Sequence, residues 1–412
     1  MNDSLVTGLR VVDSILPVGR GQRQLILGDR YTGKTSCFLS MILNSALLNL
    51  LGSIDGFGSK RLFGLYVGLN QSLNKLSKLV NVLWYVNWTT FIFSSHSTSC
   101  SLLTFLLPLL GVSIAERIRD IGFDSCICFD DLSKHSRSYR QINLLQQKLP
   151  SRDAFPSDVF NIHSSLLERV AYGIWIGTIR NARSTISSLP IIETINADIS
   201  EYIATNVISI TDGQYVLDKT LFNQSLRPAI DSSLSVSRVG SNAQCRFIKL
   251  TSAGIKNELT TLRNNSNNLN PIEHSRLIAL NSIFFQHHYI LSSVEETILL
   301  LKLYKNNILF NGINDIHRLI NLLATDYLYL HYIVSLMKNK YSSQLYFLIS
   351  GFLSRMNFVN AVLLISGIII IIIIIVIIII ISGIIIFIII FTITILYIIK
   401  HKNKLEEEML LV

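Results

Sequence analysis

Apolar positions along this chain fall into two alternating textures, short solid runs and longer stripes at helical spacing. Solid runs of four to eight residues predict strands buried on both faces, and striped stretches predict helices packed on one side. Gln24–Leu27 is the first such strand, and Ser36–Leu51 the first such helix. Further strands are expected at Leu62–Leu69, Thr90–Ser94, Ser125–Phe129, Ile191–Thr194 and Asn206–Ile210. Helices are expected at Gln71–Val86, Ser101–Ile121 and Asp158–Tyr172. Strands alternating with helices over residues 1–250 imply an α/β domain around a mainly parallel sheet. Residues 1–23, with Thr7-Gly8-Leu9-Arg10 and Gly19-Arg20-Gly21-Gln22-Arg23, read as a turn-rich lead into the first strand, with no targeting peptide ahead of it.

From Ile255 to Phe358 glycines thin out and helical periodicity takes over, so residues 251–358 are expected to form a helical bundle. Asn264–Pro271 is its internal loop. Residues 359–412 differ again. Val362–Ile381 and Ile384–Ile399 are almost wholly apolar, with Ser382-Gly383 between them. Each half approaches the ~20 residues of a membrane span. The predicted arrangement is a hairpin turning at Ser382-Gly383, with Lys400, His401, Lys402 and Lys404 holding its end on the side of the folded domain. An isoleucine-rich low-complexity tract is the competing reading.

Composition narrows the classes. The chain has 412 residues, half of them hydrophobic, enough for two or three domains. Its formal charge of +9 comes from scattered Lys and Arg without a dense basic run, which fits a solvated surface and gives no nucleic-acid partner. Five cysteines, an odd number, argue against a disulfide framework. Abundant Ile, Asn, Leu and Tyr suggest an AT-rich genome of the organellar kind and point to a mitochondrion.

The chemistry begins at Gly28-Asp29-Arg30-Tyr31-Thr32-Gly33-Lys34-Thr35, which fits G-x-x-x-x-G-K-[ST] between a strand and a helix N-terminus. Bare N–H groups there cradle phosphate, Lys34 neutralises its outer oxygens, and the Thr35 hydroxyl is placed to ligate Mg²⁺. Ser36 continues the cradle into the helix. At Cys126-Ile127-Cys128-Phe129-Asp130-Asp131 an apolar strand runs into a carboxylate, the pattern of a magnesium partner. Asp130 is assigned that role and Asp131 a structural one. Hydrolysis also needs a group to deprotonate or orient water. The expected position, the end of the strand after the P-loop helix, carries Asn70 and Gln71, and no Asp or Glu occurs between Asp55 and Glu116. An amide cannot take up a proton, so the site reads as binding without turnover. Arg238, flanked by small residues in Ser235–Ser241, suits either a surface salt bridge or projection across a subunit boundary.

These motifs, with the runs Tyr139 to Leu145, Phe155 to Ala171, Thr205 to Gln214 and Arg227 to Ser241, resemble the alpha subunits of F-type ATP synthases. The resemblance is specific from about Thr7 to Gln244 and looser to Phe358. It implies a RecA-like P-loop core followed by a helical bundle, in a hexamer alternating with beta subunits around a gamma shaft and tied to a peripheral stalk. It implies Mg-ATP or Mg-ADP bound without turnover, on the inner mitochondrial membrane's matrix side. Gln71 matches the family's non-catalytic glutamine, Thr35 and Asp130 its magnesium positions, and Phe222, Arg227 and Pro228 residues near the nucleotide. Gln286 falls near an adenine-contacting glutamine, and His288 replaces a second. Arg238 matches the arginine finger offered to the neighbouring beta site.

The sequence also departs from the family. Tyr31 stands where the family has glutamine, the Asn264–Asn270 loop is shorter, and the isoleucine-rich tail has no counterpart. The family's N-terminal β-barrel has no matching segment here, so a separate chain supplying it is expected. A hexameric helicase of the Rho type remains the alternative; it would need a catalytic carboxylate.

Overall fold

A computed structural model describes residues 3–305, apart from 55–60, 85–88, 171, 175–182, 196, 266–269, 288 and 290. The described residues belong to one unit, Met1–Leu330. The rest of the expected bundle, the isoleucine-rich tail with its predicted hairpin, and His288 lie outside them.

The chain opens with β1 (Ser4–Leu5), α1 (Arg10–Ile15) and β2 (Val18–Gly19), β1 and β2 pairing as a small antiparallel ribbon. The turn-rich lead is thus organised. Its organiser is the buried Asp13 carboxylate, which accepts from Thr7 N (2.9 Å), Thr7 Oγ1 (2.7 Å) and Gly8 N (3.0 Å).

The core follows as β3 (Gln24–Gly28), α2 (Lys34–Ile54), β4 (Leu62–Gln71), α3 (Leu73–Leu83), β5 (Thr90–His96), α4 (Ser101–Ile121), β6 (Asp124–Asp130), α5 (Leu132–Leu145) and α6 (Val159–Glu168). Then come β7 (Tyr172–Ile174), β8 (Arg183–Glu193), α7 (Tyr202–Ile210), β9 (Gly213–Leu217), α8 (Lys219–Asn223) and β10 (Val236–Ser237). The main sheet runs β10-β9-β3-β8-β6-β4-β5, with β7 paired to β8. Its inner pairs are all parallel; β10 and β7 are antiparallel additions. Parallel strands with helices on both faces must be apolar throughout. β3 and β6 are buried at every position and meet that demand in their centres, Leu25 to Leu27 and Cys126 to Phe129. Leu25, Leu27, Leu65, Val67, Ile127 and Phe129 form the centre of the core, against Val112 and Ala115 of α4. Each such fully buried aliphatic or aromatic side chain contributes about 1.5–3 kcal/mol.

The expected strand at Asn206–Ile210 is the second half of α7. Asn206 to Ile210 is rich in β-branched residues (Val207, Ile208 and Ile210), which mimics a strand, but the buried positions are Ile203, Ala204 and Val207 at helical spacing. The strand lies after it, at β9. There Gly213 is required, since a Cβ would meet Val236 O at 2.4 Å.

Beyond the sheet come α9 (Gly240–Ala243), α10 (Arg246–Ser252), α11 (Ile255–Asn264), α12 (Pro271–Phe284) and α13 (Val294–Lys305). This part of the expected bundle is helical, and the 250/251 division falls inside α10. α12 opens with Asn270 and Glu273 as a capping box and Pro271 in its first turn. α1 packs against α10, α12 and α13. The Arg10 guanidinium lies between them, donating to Glu296 Oε1 (2.6 Å) and Ile283 O (3.0 Å).

Candidate functional site

Strand order decides which residues meet. In a parallel sheet the C-terminal strand ends share one edge, where ligands bind. Register sets Gly28 at the end of β3 opposite Glu193 at the end of β8, and Gly68 of β4 opposite Asp130 at the end of β6. Four loops therefore converge on one cleft of about 530 Å³, lined by residues of the P-loop, β4, α3, β6 and β8.

The P-loop bridges β3 and α2. Gly33 has φ +95°, a conformation that L side chains rarely adopt. Thr32 Oγ1 donates to Asp29 O (2.8 Å), and Ser36 Oγ to Gly33 O (2.7 Å), closing the loop on itself. The Asp29 carboxylate accepts from Thr194 Oγ1 and Ala197 N, both at 2.8 Å, and so moors the loop to the segment after β8. Arg30 Nε donates to Glu193 at 2.6 Å. Tyr31, with φ 64°, stands 90% exposed at the tip. The Lys34 ammonium folds back over the loop, donating to Gly28 O (2.8 Å) and Asp29 O. Burial lowers its pKa, opposed by the carboxylates of Glu193, Asp131, Asp130 and Asp29.

Asp130 sits opposite. Its Oδ2 accepts from Thr35 Oγ1 (2.9 Å), Tyr66 OH (2.7 Å) and Lys75 Nζ (3.0 Å). The two residues assigned to magnesium are thus in contact. Burial alone would raise the Asp130 pKa; Lys75 and the donated hydrogen bonds outweigh it and hold the carboxyl below its ordinary range. Gln71, buried, donates its Nε2 to Asp130 O at 2.8 Å, so the amide is fixed beside the carboxylate. Asp131 is structural, as expected: it caps α5 by accepting from Lys134 N at 2.8 Å. Burial, with Asp130 beside it, raises its pKa against the Lys134 charge.

The cleft continues past Gly33 and Ser36 into a narrower recess lined by Phe222, Arg227, Pro228 and Gln286. The Arg227 guanidinium stands 5.1 Å from the centre of the Phe222 ring. This recess measures only about 30 Å³, so a purine enters it only when side chains turn aside. Gln286 reaches the recess with its amide already engaged: Oε1 accepts from Arg10 N (2.8 Å), and Nε2 donates to Gly8 O (2.9 Å) and Ser292 Oγ (3.1 Å). Arg238 lines neither space. It follows β10, is exposed, and among the described residues makes no ion pair; its backbone N donates to Asp212 O.

Sequence reasoning missed Tyr66, Lys75, Lys134 and Glu193. Glu193 had a signal, being a carboxylate at the end of a predicted strand. Lys75 had none, because a lysine early in an exposed helix looks like any solvated residue.

The cleft's residues fit a nucleotide with a divalent cation: a phosphate cradle, a lysine, and a hydroxyl beside an ionised carboxylate. Comparison with known proteins agrees. Residues 8–237 match the nucleotide-binding domain of the ATP synthase alpha/beta family. The protein named ATP synthase subunit alpha of Neorickettsia sennetsu is 43% identical over 266 residues, 64% of this chain and 50% of that one. Its namesake from Wolbachia sp. subsp. Drosophila simulans is 36% identical over 328 residues, 77% of this chain and 62% of that one. That of Buchnera aphidicola subsp. Schizaphis graminum is 37% identical over 330 residues, covering 75% and 62%. The chain thus spans between 50% and 62% of the length of these relatives. All three are bacterial, which lends no support to the mitochondrial compartment expected from composition.

Proposed function

The chain belongs to the ATP synthase alpha/beta family, and on that premise we propose that it is a non-catalytic alpha subunit of an F-type ATP synthase. It binds ATP or ADP with Mg²⁺, pairs with beta subunits around a gamma shaft, and reaches the coupling membrane and peripheral stalk through the complex. Phosphates lie on the backbone N–H groups from Arg30 to Thr35 and on Lys34. Thr35 and Asp130 hold the Mg²⁺, which when bound neutralises phosphate charge. Arg238 serves the partner's site, because phosphoryl transfer spreads negative charge that a preorganised guanidinium stabilises.

One observation carries the non-catalytic reading. The group fixed beside Asp130 at the end of β4 is the Gln71 amide. Besides Asp130 and Asp131, the carboxylate lining the cleft is Glu193, and Arg30 already holds it.

The test uses the purified full chain, measuring bound nucleotide and phosphate release. ATP is expected to remain bound and unhydrolysed, and Lys34→Ala to weaken binding roughly tenfold or more, since it removes a charge-assisted contact. Phosphate release that Lys34→Ala abolishes would overturn the reading, revive the helicase-type alternative, and make Glu193 the base to test.

A further inference from the structure

The cleft holds a fixed cation on the carboxylate assigned to the metal. Lys75 lies in the first turn of α3, its backbone N donating to Ser72 O at 3.1 Å. Its Nζ sits 3.0 Å from Asp130 Oδ2, the oxygen that also takes hydrogen bonds from Thr35 and Tyr66. The two other lysines of the cleft are engaged elsewhere. Lys34 is on Gly28 O and Asp29 O, and Lys134 is 3.4 Å from Asn70 O and 3.8 Å from Asp131 Oδ2. Lys75 is therefore the cation seated on Asp130.

Three donors on one oxygen use up its lone-pair directions. Mg²⁺ accepts only near-octahedral oxygen ligands at about 2.0–2.1 Å. For Mg²⁺, or a water it holds, to use Asp130 Oδ2, one of these three donors must give way, and the Lys75 ammonium, on its partly exposed stem, is the movable one. An ammonium is also a phosphate ligand in its own right, a compact point charge on a flexible stem. The Lys75 side chain is 43% exposed and lines the cleft with Lys34 and Thr35, so it can swing toward bound phosphate without leaving Asp130's neighbourhood.

We propose that Lys75 is a nucleotide-binding residue that competes with the divalent cation for Asp130, so that phosphate binding in this cleft depends only weakly on Mg²⁺. The inference rests on the nucleotide reading above. It adds a metal-sparing cation to that reading.

Calorimetric titration of the full chain with ATP, in excess Mg²⁺ and in EDTA, tests it. The wild-type affinity is expected to fall less than about fivefold on removing Mg²⁺. In Lys75→Gln the same ratio is expected to grow to roughly tenfold to hundredfold, the range of one charge-assisted hydrogen bond. Lys75→Arg keeps the charge and is expected to behave as wild type. Thermal melts of both variants establish that they are folded. A wild-type ratio as large as that of Lys75→Gln overturns the role of Lys75 while leaving the nucleotide reading intact. No ATP binding by wild type in either buffer, with Lys34→Ala indistinguishable from it, overturns the nucleotide reading itself.

Discussion

Single atoms decide most of the site's chemistry. Asp130 Oδ2 gathers a hydroxyl, a phenol and an ammonium, and a buried carboxylate remains ionised only in such company. Arg238 is the opposite case, an exposed guanidinium whose value, on the proposed reading, lies outside its own chain. Lysine would keep its charge but lose the planar fork. Arg238→Lys is expected to leave ATP binding by this chain near normal, since Arg238 lines neither part of the cleft. In the assembled enzyme it is expected to lower hydrolysis by about 10³–10⁵, the usual worth of an arginine finger. Near-wild-type phosphate release by that complex would make the residue structural. The P-loop and Asp130 were readable from sequence because their backbone context demands fixed spacing. Tyr66 and Lys75 were not, because their roles depend on which strand lies beside β6.

Packing between α4, α5 and α6 rests on two buried imidazoles. His135 Nδ1 lies 3.3 Å from His163 Nε2, His135 Nε2 lies 3.2 Å from Phe105 O, and Ser136 Oγ is 3.4 Å from His163 Nε2. Burial pushes His135 down to about 4; burial and its neighbour push His163 to about 3. Between about pH 6.5 and pH 4 the unfolded chain binds protons that the folded pair refuses, so stability falls as pH falls. The slope reaches about 1.4 kcal/mol per pH unit for each histidine. Asp13, pushed up to about 6 by burial, acts in the opposite sense below that pH. The histidine contribution is therefore read as the difference between wild type and His163→Leu in urea melts from pH 7 to 5, and equal slopes would refute it. Among the elements, α4 has the bounds its pattern predicts, Ser101–Ile121, because its apolar stripe is unbroken. Its face with Leu102, Leu103, Leu106 and Leu110 is exposed all the same. α5 gives a weaker pattern: beyond Leu132 its buried residues are Ser133, His135, Ser136, Ser138 and Asn143, and polar residues do not announce a core face. α7 misleads by its β-branched content, which only the packing of Ile203 and Val207 resolves.

At the scale of the whole molecule, pairing across the sequence makes the site. The main sheet places β8 between β3 and β6, so a loop nearly at the end of the domain moors a P-loop near its start. The fold class was legible from alternating textures, but no local pattern relates residue 10 to residue 296. Arg10 and Glu296, with side chains 4% and 8% exposed, form a buried ion pair that joins α1 to α13. Removing one partner strands a buried charge, which costs about 3–5 kcal/mol. Arg10→Met and Glu296→Leu are each expected to lose that much in urea melts, and the double variant to recover most of it. A double variant as unstable as the sum of the two would disprove the coupling. The same pair also sets a timetable for the chain's manufacture. Glu296 is synthesised 286 residues after Arg10, which at about 5–20 residues per second is roughly 15–60 s later. For that interval the first helix of the nascent polypeptide waits without its counter-ion. The P-loop domain therefore emerges from the ribosome with one wall unfinished, and its last seam closes only when the helical segment arrives.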